Sequence, residues 1–149
     1  MGEVNRIIAR YLDGRVVKGT TEDFQAGRPN FHLLPLGESK TRVILCAQLK
    51  AVFFVREFEG RADRSDLRGF TNPTGEQNQG KKIAVRFKDG ETICGHTMAY
   101  TGERPGFFLV PADPGSNNIR IYVVRSATTK IAIGPNADAL ANAPDSRAA

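Results

Sequence analysis

The chain has 149 residues, a formal net charge of +5, two Cys, no Trp, and hydrophobic and charged fractions of 40 % and 25 %. That length fits one ordinary domain or two very small ones, and the composition excludes wholesale disorder and fibrous chains. No apolar run approaches the ~18 residues of a membrane-spanning helix, the opening MGEVNRIIARYLDG lacks a signal-peptide core, and two thiols point to a reducing, cytoplasmic setting rather than a disulfide scaffold.

Taken in chain order, residues 9–21 read as two short strands about Asp13-Gly14, a dipeptide that tolerates the positive φ of a tight hairpin. Gly19 inside the second strand marks a bulge or a sharp bend. Gly27-Arg28-Pro29 turns the chain into a third strand over 31–34, and the fourth and fifth follow over 42–47 and 49–55. Residues 58–80 are polar and lack apolar periodicity, the mark of a linker, with room for a helical turn near 61–68. Beyond it Ile83, Val85 and Phe87 alternate with Ala84, Arg86 and Lys88, the period of a strand with one buried face. Asp89-Gly90 forms the next turn, a strand carrying Gly95 covers 91–97, and further strands cover 107–110, 119–126 and 128–133. Residues 135–149 hold too few apolar groups to order themselves and read as a flexible tail.

The two halves are copies. A constant offset of 76 sets Arg10 on Arg86, Asp13-Gly14 on Asp89-Gly90, Gly19 on Gly95, Phe24 on Tyr100, Arg28-Pro29 on Arg104-Pro105 and Phe31 on Phe107. After an insertion at 113–118 the offset becomes 79, matching Val43-Ile44-Leu45 to Tyr122-Val123-Val124 and Val52 to Ile131. Five strands in about 50 residues leave two edges and one apolar face bare unless the sheet bends and closes. The expected fold is all-β: two tandem five-stranded, partly open β-barrels (1–57 and 81–134), joined by a polar linker. Each is marginal on burial grounds, so the two pack together or against a second chain.

The order Asp13-Gly14, Gly19, Phe24 and Asn30-Phe31-His32-Leu33 resembles the first motif of Sm-like small barrels. Their second motif, an apolar strand followed by Arg-Gly, is echoed by Val123-Val124-Arg125-Ser126 and Ile44-Leu45-Cys46-Ala47. The chain is also similar to bacterial tandem proteins carrying RPGFFLVPADPGSNN, here Arg104 to Asn118. The resemblance implies tandem Sm-like barrels whose loop before the third strand, with Asn30, forms a nucleic-acid face; Gly106 stands where a second Asn would be.

Catalytic chemistry is thin. His32 corresponds to Phe108 and His96 to Thr20, so neither histidine is shared by the copies, and no metal-ligand spacing occurs. Cys46 and Cys94 correspond to Arg125 and Lys18, which places both thiols on outward positions. No enzyme, metal or cofactor is expected. Residues 1–57 hold nine Lys and Arg against six Asp and Glu, and residues 81–134 hold eight against four, so the units carry the positive charge. Candidate ligand contacts are Arg10, Arg28, Asn30, Lys81, Lys82, Arg86 and Arg104. The competing reading of the Arg-Pro-x-Phe loops is a cap on the barrel, with Phe plugging the core. Ile8, Leu12, Val16 and Phe53 are apolar at outward positions where the second copy has Ala84, Lys88, Thr92 and Ala132, which marks an interface. The expected function is a non-enzymatic cytoplasmic binding module. A protein partner or self-association ranks first and RNA second, followed by a nucleotide second messenger near Arg61, Arg64 and Arg68.

Overall fold

A computed structural model describes residues 4–58, 80–98, 100, 102–112 and 117–142. The described chain is all-β apart from one short helix. Its strands are β1 (Asn5–Tyr11), β2 (Val16–Thr21), β3 (Asn30–Pro35), β4 (Arg42–Leu45), β5 (Leu49–Val55), β6 (Lys81–Phe87), β7 (Thr92–Thr97), β8 (Gly106–Pro111), β9 (Asn118–Val124) and β10 (Thr128–Ile133), followed by α1 (Pro135–Asn142). Single 3-10 turns, Cys46–Gln48 and Arg125–Ala127, end the fourth strand of each half earlier than the sequence pattern implies. Residues 59–79 of the expected linker (58–80), with Arg61, Arg64 and Arg68, lie outside the described residues, as does the chain beyond 142.

Both Asp-Gly hairpins form with the same bonds. Tyr11 N donates to Arg15 O at 2.9 Å and Phe87 N to Glu91 O at 2.8 Å. Asp13 Oδ1 accepts from Arg15 N, as Asp89 Oδ1 accepts from Glu91 N. Gly14 and Gly90 sit at φ 96° and 94°, which a residue with a Cβ rarely adopts. Gly19 and Gly95 meet a different demand. A Cβ at either would lie 2.1 Å from a backbone oxygen, of Leu34 and Val110 respectively, because the next strand folds down onto the glycine. Buried Thr21 and Thr97 pin the same bend by donating to His32 O and Phe108 O.

The sheet order is β10-β6-β7-β8-β9-β5-β1-β2-β3-β4, and every pairing is antiparallel. Each half therefore runs fifth, first, second, third, fourth strand, and β5 pairs with β9 to join them. Two separate barrels joined by a linker, packed on each other or on a second chain, were expected; the strands instead form one continuous ten-stranded sheet. The reason lies in β5, LKAVFFV, which is buried at every position and would leave an apolar edge unpaired without β9. Ala51 faces Val123, Val52 faces Tyr122 and Phe53 faces Ile121 across this joint.

The sheet is strongly curled. Lys50 on β5 bonds Asp89 and Glu91 at the β6–β7 turn. In a flat sheet β7 would lie three strand spacings away, about 14 Å, beyond the reach of a lysine. One hydrophobic core draws on both halves, from Ile7 and Phe31 to Ile83 and Tyr122.

Residues 135–142, expected as the start of a flexible tail, form α1. Ala137, Leu140 and Ala141 are buried, and Ala137 and Leu140 pack with Ala84 and Ala132 on the outer face of the sheet. Two alanines in the strands leave room for the helix, so a few small apolar contacts suffice to order it. In the first half the same outward positions hold Ile8 and Phe53, already 9 % and 6 % exposed within their own chain.

Candidate functional site

The loop before the third strand of each half is tied to the 3-10 turn after the fourth. Cys46 N donates to Pro29 O and Arg125 N to Pro105 O, both at 2.9 Å. Proline sets the loop's course and offers a carbonyl without needing a donor partner. Where the two halves meet, Tyr122 from β9 reaches into the first half, and its hydroxyl accepts from Gly27 N at 3.2 Å. Burial pushes the Tyr122 pKa up, so the hydroxyl is neutral at physiological pH.

These loops surround a cavity of about 700 Å³. Gly27, Arg28, Pro29, Cys46 and Ala47 line one side; Tyr100, Pro105, Tyr122, Val124, Arg125, Ser126 and residues 128–131 line the other. Arg28, Arg125 and Lys130 are exposed at this cavity, and no acidic residue is among its described lining. None of the three cations has an ion pair among the described residues, so their charge stays available to a ligand. Cavities of this size hold nucleotide-sized groups.

Of the residues singled out from sequence, Arg28 lines the cavity. Asn30 opens β3, opposite Leu45, and is exposed. Arg104 is exposed beside the lining residue Pro105. Arg10 stacks over Phe53 at 5.0 Å, Arg86 donates to Thr92 Oγ1 at 3.1 Å, and Lys82 Nζ lies 3.4 Å from Asp138 of α1. Lys81 is exposed at the start of β6. Among the interface candidates, Leu12 is half-buried against the core and Val16 is exposed, while Ile8 and Phe53 are covered as described.

Cys46, expected on an outward position, is instead buried in the shared core, and burial raises its pKa. A protonated thiol is a poor nucleophile. Cys94 packs against the α1 cluster. His32 and Asp23 form a pair at 2.6 Å, with His32 N also donating to the carboxylate and Thr21 Oγ1 3.2 Å from it; burial raises the Asp23 pKa, but these polar contacts outweigh it and hold it below the ordinary range. The pair fastens the β2–β3 loop to β3. Among the described residues no group of three or more His, Cys, Asp or Glu could hold a metal ion, and no helix is long and apolar enough to cross a membrane.

Sequence reasoning passed over Arg125, Lys130 and Tyr100 as ligand contacts. Looking for chemistry at positions shared by both copies hid them, because their counterparts are Cys46, Ala51 and Phe24. Loops and 3-10 turns of both halves line the cavity, but the residues at matching positions differ in chemistry, and the fifth strand of the second half alone contributes to it.

The histidine in β7 supplies a pH test. His96 lies opposite Lys82, and burial, then the Lys82 charge, lowers its pKa. Asp138 of α1 faces the same lysine. A lowered folded-state value favours neutral imidazole, so its contribution is full above about pH 6.5 and is lost as pH falls through the folded-state pKa. The melting temperature is expected to drop on acidification from neutral pH, and His96→Gln to flatten that drop in a calorimetric pH series.

Residues 3–134 match the model of a family of unknown function (DUF6982). No curated protein and no solved structure matches the chain.

Proposed function

We propose a binding role for this chain, which belongs to the DUF6982 family: a non-enzymatic cytoplasmic module of two Sm-like, partly open barrels that receives single-stranded nucleic acid between its halves. The repeated strand order, the paired glycine bends and the Lys50 bridge support the curled, barrel-like halves. The observation that carries the binding reading is the cavity rimmed by Arg28, Arg125 and Lys130 with no described acidic lining. Guanidinium groups clamp phosphate in two-pronged contacts, and Tyr100 on the wall offers a ring on which a base can stack.

Binding of a labelled single-stranded RNA, followed by fluorescence anisotropy across a salt series, tests this. The double variant Arg28→Glu, Arg125→Glu is expected to bind at least about tenfold more weakly, with a shallower salt dependence because fewer counterions are released. Equal affinity and equal slope in the variant would sink the reading. Competition with a mononucleotide separates a strand-binding cleft from a nucleotide pocket.

A second reading, docking of a protein, is favoured by a separate feature. Val43 and Leu45 on the outermost strand β4 are exposed large apolar residues beside unpaired backbone groups.

A further inference from the structure

The sheet face that carries α1 is only partly covered by it. α1 packs on Ala84, Ala132 and Cys94, and the row of side chains beyond them stays open. In that row Lys82 faces His96, and His96 faces Val110, across β6, β7 and β8. Leu109 faces Ile121, which sets Val110 beside Arg120 of β9, and Arg120 faces Phe54 of β5. Val110 is 39 % exposed and Arg120 is exposed.

Two rings hold the Arg120 guanidinium in place. Its central carbon lies 4.4 Å from the Phe54 ring centroid and 4.5 Å from that of Phe108. Those rings are fixed in turn: Phe24 stands 5.4 Å from Phe54 and 6.0 Å from Phe108, and Tyr122 stands 5.3 Å from Phe108. Cation–π attraction positions the guanidinium but supplies no acceptor oxygen, so its fork of N–H donors is pre-set for a planar oxyanion. Among the described residues Arg120 enters no ion pair and no hydrogen bond. Asp138 of α1, an acid on the same face, pairs with Lys82 instead. The first half holds Thr41, Leu34 and His32 at the positions of Arg120, Val110 and Phe108, so the repeated fold does not itself call for a stacked guanidinium there.

We propose that Arg120 receives a carboxylate from an acidic segment of a partner protein, whose neighbouring aliphatic side chain packs on Val110 and the Phe108 ring. Charge and surroundings select this occupant. A carboxylate matches the guanidinium fork in a two-pronged contact, and Val110 with half-buried Phe108 gives an apolar shelf beside it. A nucleic-acid strand carries a phosphate at every nucleotide and follows a series of cations. Along this row the next cation is Lys82, three strand spacings or about 14 Å away, and Asp138 engages it. None of Phe54, Phe108, Val110 and Arg120 lines the cavity, so the site stands independently of the nucleic-acid reading.

Side-chain NMR on the isotope-labelled full chain reads the site directly. The Arg120 Nε–H signal and the Val110 and Arg120 amides are followed during titration with the capped tripeptide Leu-Glu-Leu, with Leu-Gln-Leu as the control. Saturable shifts are expected at these groups, with the Glu peptide binding at least about tenfold more tightly than the Gln peptide. Arg120→Gln is expected to abolish that preference while leaving the melting temperature close to the wild-type value, and Arg120→Lys, which keeps the charge but not the fork, to recover only part of it. Arg120 signals that do not move with Leu-Glu-Leu overturn the proposal. So does an equal response to both peptides, or Leu-Glu-Leu binding that survives Arg120→Gln. Tighter binding of single-stranded RNA than of the Glu peptide at the Arg120 signal also overturns it, and assigns the residue to the strand.

Discussion

Alanine in place of Lys50 is expected to lower the unfolding free energy by about 3–5 kcal/mol. The side chain belongs to the first half but ends in the second. Its ammonium lies 2.7 Å from Asp89, within bonding distance of Glu91, and 4.9 Å from the Phe87 ring centroid. Lys50 itself is 3 % exposed, and its two acids are partly shielded. Removal leaves the carboxylates repelling each other next to an unfilled space. Replacing the whole cluster, Lys50→Met with Asp89→Asn and Glu91→Gln, is expected to recover most of the loss, because no charge then has to be held out of water. Denaturant titration measures both. Hydrogen exchange adds a structural readout: amides of β5 and of the β6–β7 turn should lose protection together in the alanine variant. A cost below about 1 kcal/mol, the range of exposed ion pairs, would show that the bridge does not hold the halves.

The second large effect is expected at Phe24. Its ring stands edge-on to Phe31 at 5.0 Å, Phe54 at 5.4 Å, Phe108 at 6.0 Å and Tyr122 at 5.1 Å. Two of these rings come from each half, so the cluster seals the joint from the interior side. Phe24→Ala removes the central ring and is expected to cost about 3–5 kcal/mol, transfer and cavity together. Phe24→Leu, which keeps much of the volume, is expected to cost about 1–2 kcal/mol. Tyr100, the counterpart of Phe24, meets Phe107 within its own half at 4.9 Å and lies on the cavity wall. Its truncation should cost less, and that difference, read from thermal unfolding of both alanine variants, checks that the two positions have diverged in role.

Much of the fold was legible along the chain because its signals are local. Asp13-Gly14 and Asp89-Gly90 specify hairpins through two residues each, and alternation at 83–88 specifies a strand through six. Gly19 and Gly95 announced a bend without saying what approached them; only the folded chain shows that it is the carbonyl of the neighbouring strand. The helix over Pro135–Asn142 escaped notice because its apolar content is small, and the two alanines that receive it are far away in sequence. Similarly, Ile8 and Phe53 looked like bare outer surface from strand alternation, yet packing covers them. The cavity was half visible: Arg28 stood out by its repetition, but Arg125 and Lys130 gain their meaning from the opposite half.

Duplication, strand count, turn positions and the inward phase of each strand were determined by the linear order of residues, since each depends on neighbours within a few positions. Which edges meet was decided in three dimensions. β5 joins β9 because a wholly buried strand finds an apolar partner 70 residues on, and Lys50 finds two acids at the β6–β7 turn of the same half. Such pairing reflects complementarity between distant surfaces, and no local pattern encodes it.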